Sequence, residues 1–137
     1  MTDADLVAKK LALIETCVRE LRTLCKPADF ERDVVQERFA EHTLQIAIQA
    51  SLDVASHIAS DDRLGEPGSN RELFGILSRS GWLPVELAES LARMAGFRNI
   101  LVHGYAAVNP KLVREVVEKR LGDLLAFVTA IRSRLKE

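Results

Sequence analysis

Residues 40–59 read AEHTLQIAIQASLDVASHIA, and Ala40, Leu44, Ala47, Ile48, Leu52, Ala55, Ile58 and Ala59 recur three or four positions apart. That spacing collects them on one face of an α-helix, whereas a half-buried strand would alternate every second position. No proline or glycine interrupts residues 28–64, so the pattern predicts one long helix over about 30–60, capped at its start by Asp29. A helix with so wide an apolar face must be covered by other helices, and the flanking sequence supplies them.

Upstream, Thr2 with Asp5 three residues on reads as a start signal for a first helix. Its apolar line Leu6, Leu13, Cys17, Leu21 and Leu24 runs until Pro27 stops it. Downstream, the polar stretch 61–68 is a linker. Ser69 and Glu72 then form a capping-box pattern ahead of Leu73, Phe74, Ile76 and Leu77, with Gly81 placed to end this short third helix. Pro84 suits the first turn of a fourth helix reaching about His103. Asn109-Pro110 is a cap followed by a proline at the first helical position, opening a fifth helix with a Val113, Val117, Leu124, Val128, Ile131, Leu135 stripe. Nothing alternates with period two. The expectation is an all-α, up-and-down bundle of about five helices in a single domain spanning 1–137.

Composition narrows the function classes. With 19 basic and 20 acidic side chains the chain is not a charge-driven nucleic-acid binder. The charge is uneven, however. Residues 1–62 carry 7 Lys/Arg against 12 Asp/Glu, and residues 98–137 carry 8 against 4. No apolar run approaches the ~20 residues of a membrane span, and no signal-peptide pattern opens the chain, so a cytoplasmic protein is expected. Cys17 and Cys25, on one helix, lie roughly 12 Å apart and cannot pair. With no Cys-x-x-Cys pair and three histidines, a metal site has little support, and no cofactor is called for.

The chemistry concentrates in Arg98-Asn99-Ile100-Leu101-Val102-His103-Gly104-Tyr105. On a helical wheel Leu87, Leu91, Met94 and Arg98 share a narrow arc, so a guanidinium occupies an apolar place and needs a partner. A permanent cation suits a phosphate, and an imidazole can trade a proton near neutrality. The opposite arc holds Val85, Ala92, Gly96 and His103, while only Glu86, Glu89 and Arg93 form a solvent strip. A helix buried on two sides in so small a bundle points to a symmetric homodimer. Arg98 and His103 are separated by about 140° around the helix and cannot share one unbroken face. Either the helix ends near His103 and Gly104 turns it back, or the pair is completed across a dimer axis. A helix C-terminus would also favour the protonated imidazole.

An Arg, four residues, His, one residue and Tyr in a small helical chain resembles the HEPN superfamily, and within it the HepT-like ribonuclease toxins. The likeness extends to Gln49, Leu52, Asp53, Ala55 and His57, to Arg71-Glu72-Leu73-Phe74, and to the run from Gly96 to Tyr105. The resemblance implies a metal-independent endoribonuclease cleaving RNA as a dimer, with both motifs facing one cleft. It implies Arg98 and His103 as catalytic residues, Asn99 as an orienting amide, and Asp53 as an acidic partner for Arg98. It further implies a minimal nucleotidyltransferase antitoxin of the MntA type, in some systems attaching AMP to the motif tyrosine, here Tyr105. Where that family often carries an aspartate this chain has Asn109, which caps a helix equally well.

Taken without the resemblance, the residues leave other readings open. Arg98 could be a structural arginine paired to Asp53 or to a helix terminus, His103 a helix cap, and Tyr105 a packing aromatic. The whole could equally be a non-catalytic HEPN module that binds nucleotide or a partner. Trp82 and Phe97 read as core or interface anchors rather than base-stacking platforms.

Overall fold

The computed structural model describes residues 3–103 and 109–136, with the side chain of His103 outside that set. The described residues form six α-helices and one 3-10 turn and contain no strand: α1 Ala4–Thr23, the turn Pro27–Asp29, α2 Val34–Asp61, α3 Asn70–Arg79, α4 Val85–His103, α5 Pro110–Lys119 and α6 Leu121–Leu135. The all-α expectation holds, and α2 is the centre. It packs against every other helix of the bundle, while α1 also lies on α6 and α3 on α4.

All eight apolar positions read from residues 40–59 are buried. Thr43, Ala50, Ser51 and Val54 are buried with them, because α1 covers the flank that the main apolar face leaves open. Phe30, Phe74 and Phe127 are enclosed in the core, the last two edge to face with ring centres 6.0 Å apart. Such a pair adds about 0.5–1.5 kcal/mol to the area it buries.

Several local readings are corrected. The cap of α2 is Asp33, whose carboxylate accepts from the Val35 and Gln36 N–H groups at 3.1 and 3.3 Å. Asp29 instead closes the Pro27 turn and is ion-paired to Arg32. That turn allows Phe30, 1 % exposed, to enter the core before the helix begins. Asp3 caps α1 through the Asp5 and Leu6 N–H groups. The buried line of α1 is Val7, Leu11, Ile14, Cys17, Val18 and Leu21, with Leu6, Leu13 and Leu24 left partly in solvent. At α3 the capping box does not form. Glu72 reaches past Ser69 to accept from the Gly68 N–H at 2.6 Å, and Ser69 makes no side-chain cap bond.

The expected fifth helix is two helices, broken at Arg120 (φ −116, ψ −5). Gly122 weakens helix propensity beside the break. Asp123 is held there by the Ser90 hydroxyl of α4, which fixes the start of α6. Asn109 caps α5 as read, accepting from Lys111 N–H at 2.9 Å. Both cysteines are buried and unpaired, as expected. Burial raises both thiols above their ordinary value.

Candidate active site at the end of α4

Helix α4 carries the motif. Its inner face is set by Ala88, Leu91, Met94 and Ala95, all buried, and Glu86, Glu89 and Arg93 form the exposed strip that the wheel assigns them. Val85, Ile100 and Val102, by contrast, are 61, 51 and 37 % exposed. The bundle therefore covers one side of α4 and leaves apolar side chains open on another.

Arg98 continues the Leu87, Leu91, Met94 line and is half-buried. Its Nε is sealed from solvent and has no hydrogen-bond partner among the described residues. Its Nη1 donates to Asn99 Oδ1 at 3.4 Å, a long bond. A guanidinium offers five donors, so this one is held against the apolar arc with most of its capacity unused. An oxyanion with two in-plane acceptors is the natural complement.

The pairing with Asp53 does not occur. Asp53 lies on α2 facing α1, where Lys10 Nζ approaches its Oδ2 at 3.1 Å and Gln49 Nε2 donates to its Oδ1 at 2.8 Å. The polar line Gln49, Asp53, His57 is the seam with α1. His57 Nε2 lies 3.1 Å from the Asp3 N–H and 3.0 Å from Asp61 Oδ2.

His103 is the last residue of α4. Since the helix runs unbroken from Arg98 to His103, the separation of about 140° around its axis stands. Gly104 and Tyr105 lie outside the described residues. Asn99 is exposed beside Arg98. One turn toward the N-terminus, Gly96 is not bare as its small size suggests. The Arg71 guanidinium of α3 lies over it, so that a Cβ there would meet Cζ and Nε at 3.8 Å. Sequence reading named Arg71 only within a longer run and gave it no role. Between α4 and α5 a hollow of about 280 Å³ is floored by Met94, Phe97, Leu112 and Val116, with Arg93 and Arg120 at its rim. Among the described residues no group of three potential ligands gathers to hold a metal, and no helix is long and apolar enough to cross a membrane.

Compared with known proteins, residues 14–131 match the family described as "Ribonuclease HepT-like". The chain belongs to that family. The match runs from the middle of α1 to near the end of α6, so the whole scaffold that presents α4 is HepT-like. Over 130 residues the chain is 30% identical to the mRNA nuclease HepT of Shewanella oneidensis, covering 94% of this chain and 98% of that one. It is 33% identical over 108 residues to the tRNA nuclease HepT of Aphanizomenon flos-aquae, covering 79% and 71%. A solved structure described as a tri-AMPylated Shewanella oneidensis HEPN toxin in complex with MNT antitoxin superposes with a TM-score of 0.87 at 30% identity, covering 97% of this HepT-like chain and 99% of that one.

Proposed function

We propose that this HepT-like chain is a ribonuclease toxin that cleaves RNA at a site shared by two copies of itself. A nucleotidyltransferase antitoxin would neutralise it by attaching AMP to Tyr105. The observation that carries the catalytic reading is Arg98: a half-buried guanidinium, its Nε sealed off and without a partner among the described residues, in the motif helix five residues before His103. The curated names of the relatives, a nuclease of mRNA and a nuclease of tRNA, supply the substrate class. The AMPylated toxin bound to its antitoxin supplies the partner and the modification.

The chemistry follows from the side chains. The neutral imidazole of His103 takes the proton of a ribose 2′-hydroxyl as that oxygen attacks the adjacent phosphorus. The 5′-oxygen of the next nucleotide leaves with its bonding pair and takes a proton from the imidazolium so formed, giving a 2′,3′-cyclic phosphate and a 5′-hydroxyl end and restoring the neutral imidazole. Arg98 holds the phosphate and opposes the charge that builds on its non-bridging oxygens, the role in which a preorganised donor contributes most. Asn99, bonded to Arg98, orients it. The nucleophile is the substrate's own hydroxyl, so the reaction is written without a metal step.

Two features support the dimer. Five helical positions set Arg98 and His103 about 140° apart around α4, and on that register we read the working pair as Arg98 of one copy with His103 of the other. Ile100 and Val102, exposed beside the motif, are apolar side chains that a second copy would cover. The test is incubation of the purified protein with total RNA in excess chelator. Cleavage by the natural sequence, lost in Arg98→Ala and His103→Ala with the dimer intact by light scattering, supports the ribonuclease. A dimer that binds nucleotide but leaves RNA whole would make it a binding module.

A further inference from the structure

The ribonuclease reading rests on the α4 motif, but a second cation is built into the same surface from another helix. Arg71 is the second residue of α3, and α3 packs along α4 so that its N-terminal end meets α4 just before the motif. The Arg71 side chain is exposed and crosses onto α4, where it lies over Gly96 with Nε, Cζ and Cδ all within 4.0 Å of where a Cβ would stand. A Cβ at Gly96 would stand in ordinary van der Waals contact with that guanidinium.

Gly96 and His103 are seven residues apart, so they fall within about 20° of one another around the helix, roughly 10 Å apart along its axis. Asn99 lies between them, one turn from Gly96. The Arg71 cation thus lies on the side of α4 to which positions 99 and 103 belong by helical register. Among the described residues nothing neutralises its charge. Among the described residues the ion pairs are Lys10 with Asp53, Arg32 with Asp29, His57 with Asp61, Arg114 with Glu118 and Arg132 with Glu15, and none involves Arg71. Its sequence neighbour Glu72 is turned away to the Gly68 N–H. A cation lying on a helix, without an ion-pair partner among the described residues and in register with the proposed centre, has its complement in a substrate that carries a phosphate at every residue.

We propose that Arg71 is a substrate-positioning residue that grips a backbone phosphate next to the scissile one, fixing the register of a single RNA strand across the end of α4. This rests on the ribonuclease reading given above and adds a contact that neither the motif nor the family relation assigns. Arg71 does not touch the reacting atoms, so its loss weakens binding while leaving the chemical step nearly intact.

The experiment uses the full-length dimer and a short fluorescent single-stranded RNA of mixed sequence. In the cleavage-dead His103→Ala background, affinity is measured across a salt series with and without Arg71→Ala. One lost phosphate contact lowers the log–log salt slope by about 0.7 and weakens binding on the order of fivefold at moderate salt. Arg71→Lys, which keeps a cation there, retains the slope. In the otherwise natural sequence, Arg71→Ala raises KM by a similar factor with kcat within about twofold, whereas Arg98→Ala lowers kcat. Cleavage by the natural sequence with an unchanged salt slope in Arg71→Ala overturns this proposal alone and leaves Arg71 a structural arginine. Loss of the dimer in Arg71→Ala likewise overturns it, since Arg71 would then be an interface residue. If the natural sequence neither binds nor cleaves RNA, the ribonuclease reading falls and this one with it.

Discussion

Replacing Arg98 by methionine should make the protein more stable and destroy its activity, and the two effects together separate a catalytic arginine from a structural one. Among the described residues the Nε of Arg98 is buried without a partner, and Nη1 makes a single long bond to Asn99. A buried donor without an acceptor costs about 1–3 kcal/mol. The residue as a whole is only half-buried, so the lower end of that range applies. Methionine continues the Leu87, Leu91, Met94 arc, has nearly the same helix propensity and carries no group to satisfy. The expected gain is about 1 kcal/mol, or roughly 3–5 °C in Tm for a domain of this size. The same change removes a preorganised donor from the developing oxyanion, and kcat should fall by about 10²–10³-fold. Thermal unfolding is followed by circular dichroism at one fixed protomer concentration, because a dimer's Tm depends on it, and cleavage is followed on the same preparation. Destabilisation by about 3–5 kcal/mol, the cost of breaking a buried ion pair, would refute the reasoning and return Arg98 to the scaffold.

Other outcomes follow from the same coordinates. Arg132 donates two hydrogen bonds to Glu15, at 2.9 and 2.6 Å, and holds its carboxyl below the ordinary value of 4.5. A carboxyl depressed in the folded state adds stability that is present above the unfolded value and lost as pH falls through the folded one. Both side chains are about 40 % exposed, so Glu15→Gln should cost no more than about 1 kcal/mol at neutral pH. Denaturant midpoints of the two proteins should converge as the pH drops below 4.5. Gly81 has φ +85, and a Cβ there would stand 3.1 Å from Arg134 Nη1, which also lies over Trp82. Gly81→Ala should therefore cost about 1–2 kcal/mol in urea unfolding. Burial raises the Cys17 and Cys25 thiols, so a disulfide reagent such as DTNB should titrate them slowly in the folded protein and rapidly in guanidinium.

Much of the scaffold was legible because α2 is long, uninterrupted and periodic, so that burial and periodicity agree at Ala40, Leu44, Ile48 and Ile58. Where they diverge the reason is tertiary. Helix α1 carries two apolar stripes, and only contact with α2 and α6 decides that Val7, Leu11 and Ile14 turn inward while Leu6 and Leu13 stay partly exposed. Asp29 and Asp33 are equally good caps by residue type. The need to sink Phe30 before the helix starts selects Asp33. The break at Arg120 depends on Ser90, which is 33 residues from Asp123 in sequence.

The site shows the same division. The Arg98 anomaly was visible as a charge in an apolar arc, a signal intrinsic to one helix. The fate of Asp53 was not, because its partner Lys10 is 43 residues away on a helix that covers the polar line. Arg71 was invisible as a contributor for the same reason: an exposed arginine at a helix start has no sequence mark until α3 is laid along α4 and Gly96 proves to be its seat.

Subunit complementation tests the shared centre most directly. Arg98→Ala and His103→Ala proteins are each assayed on RNA, then mixed, allowed to exchange subunits, and assayed again. If one protomer lends the guanidinium and the other the imidazole, each parent is inactive and the mixture regains a substantial part of the natural activity, because every heterodimer holds one complete Arg98–His103 pair. A mixture as inactive as its parents, with heterodimers demonstrated by native mass spectrometry, would contradict a centre built across two copies.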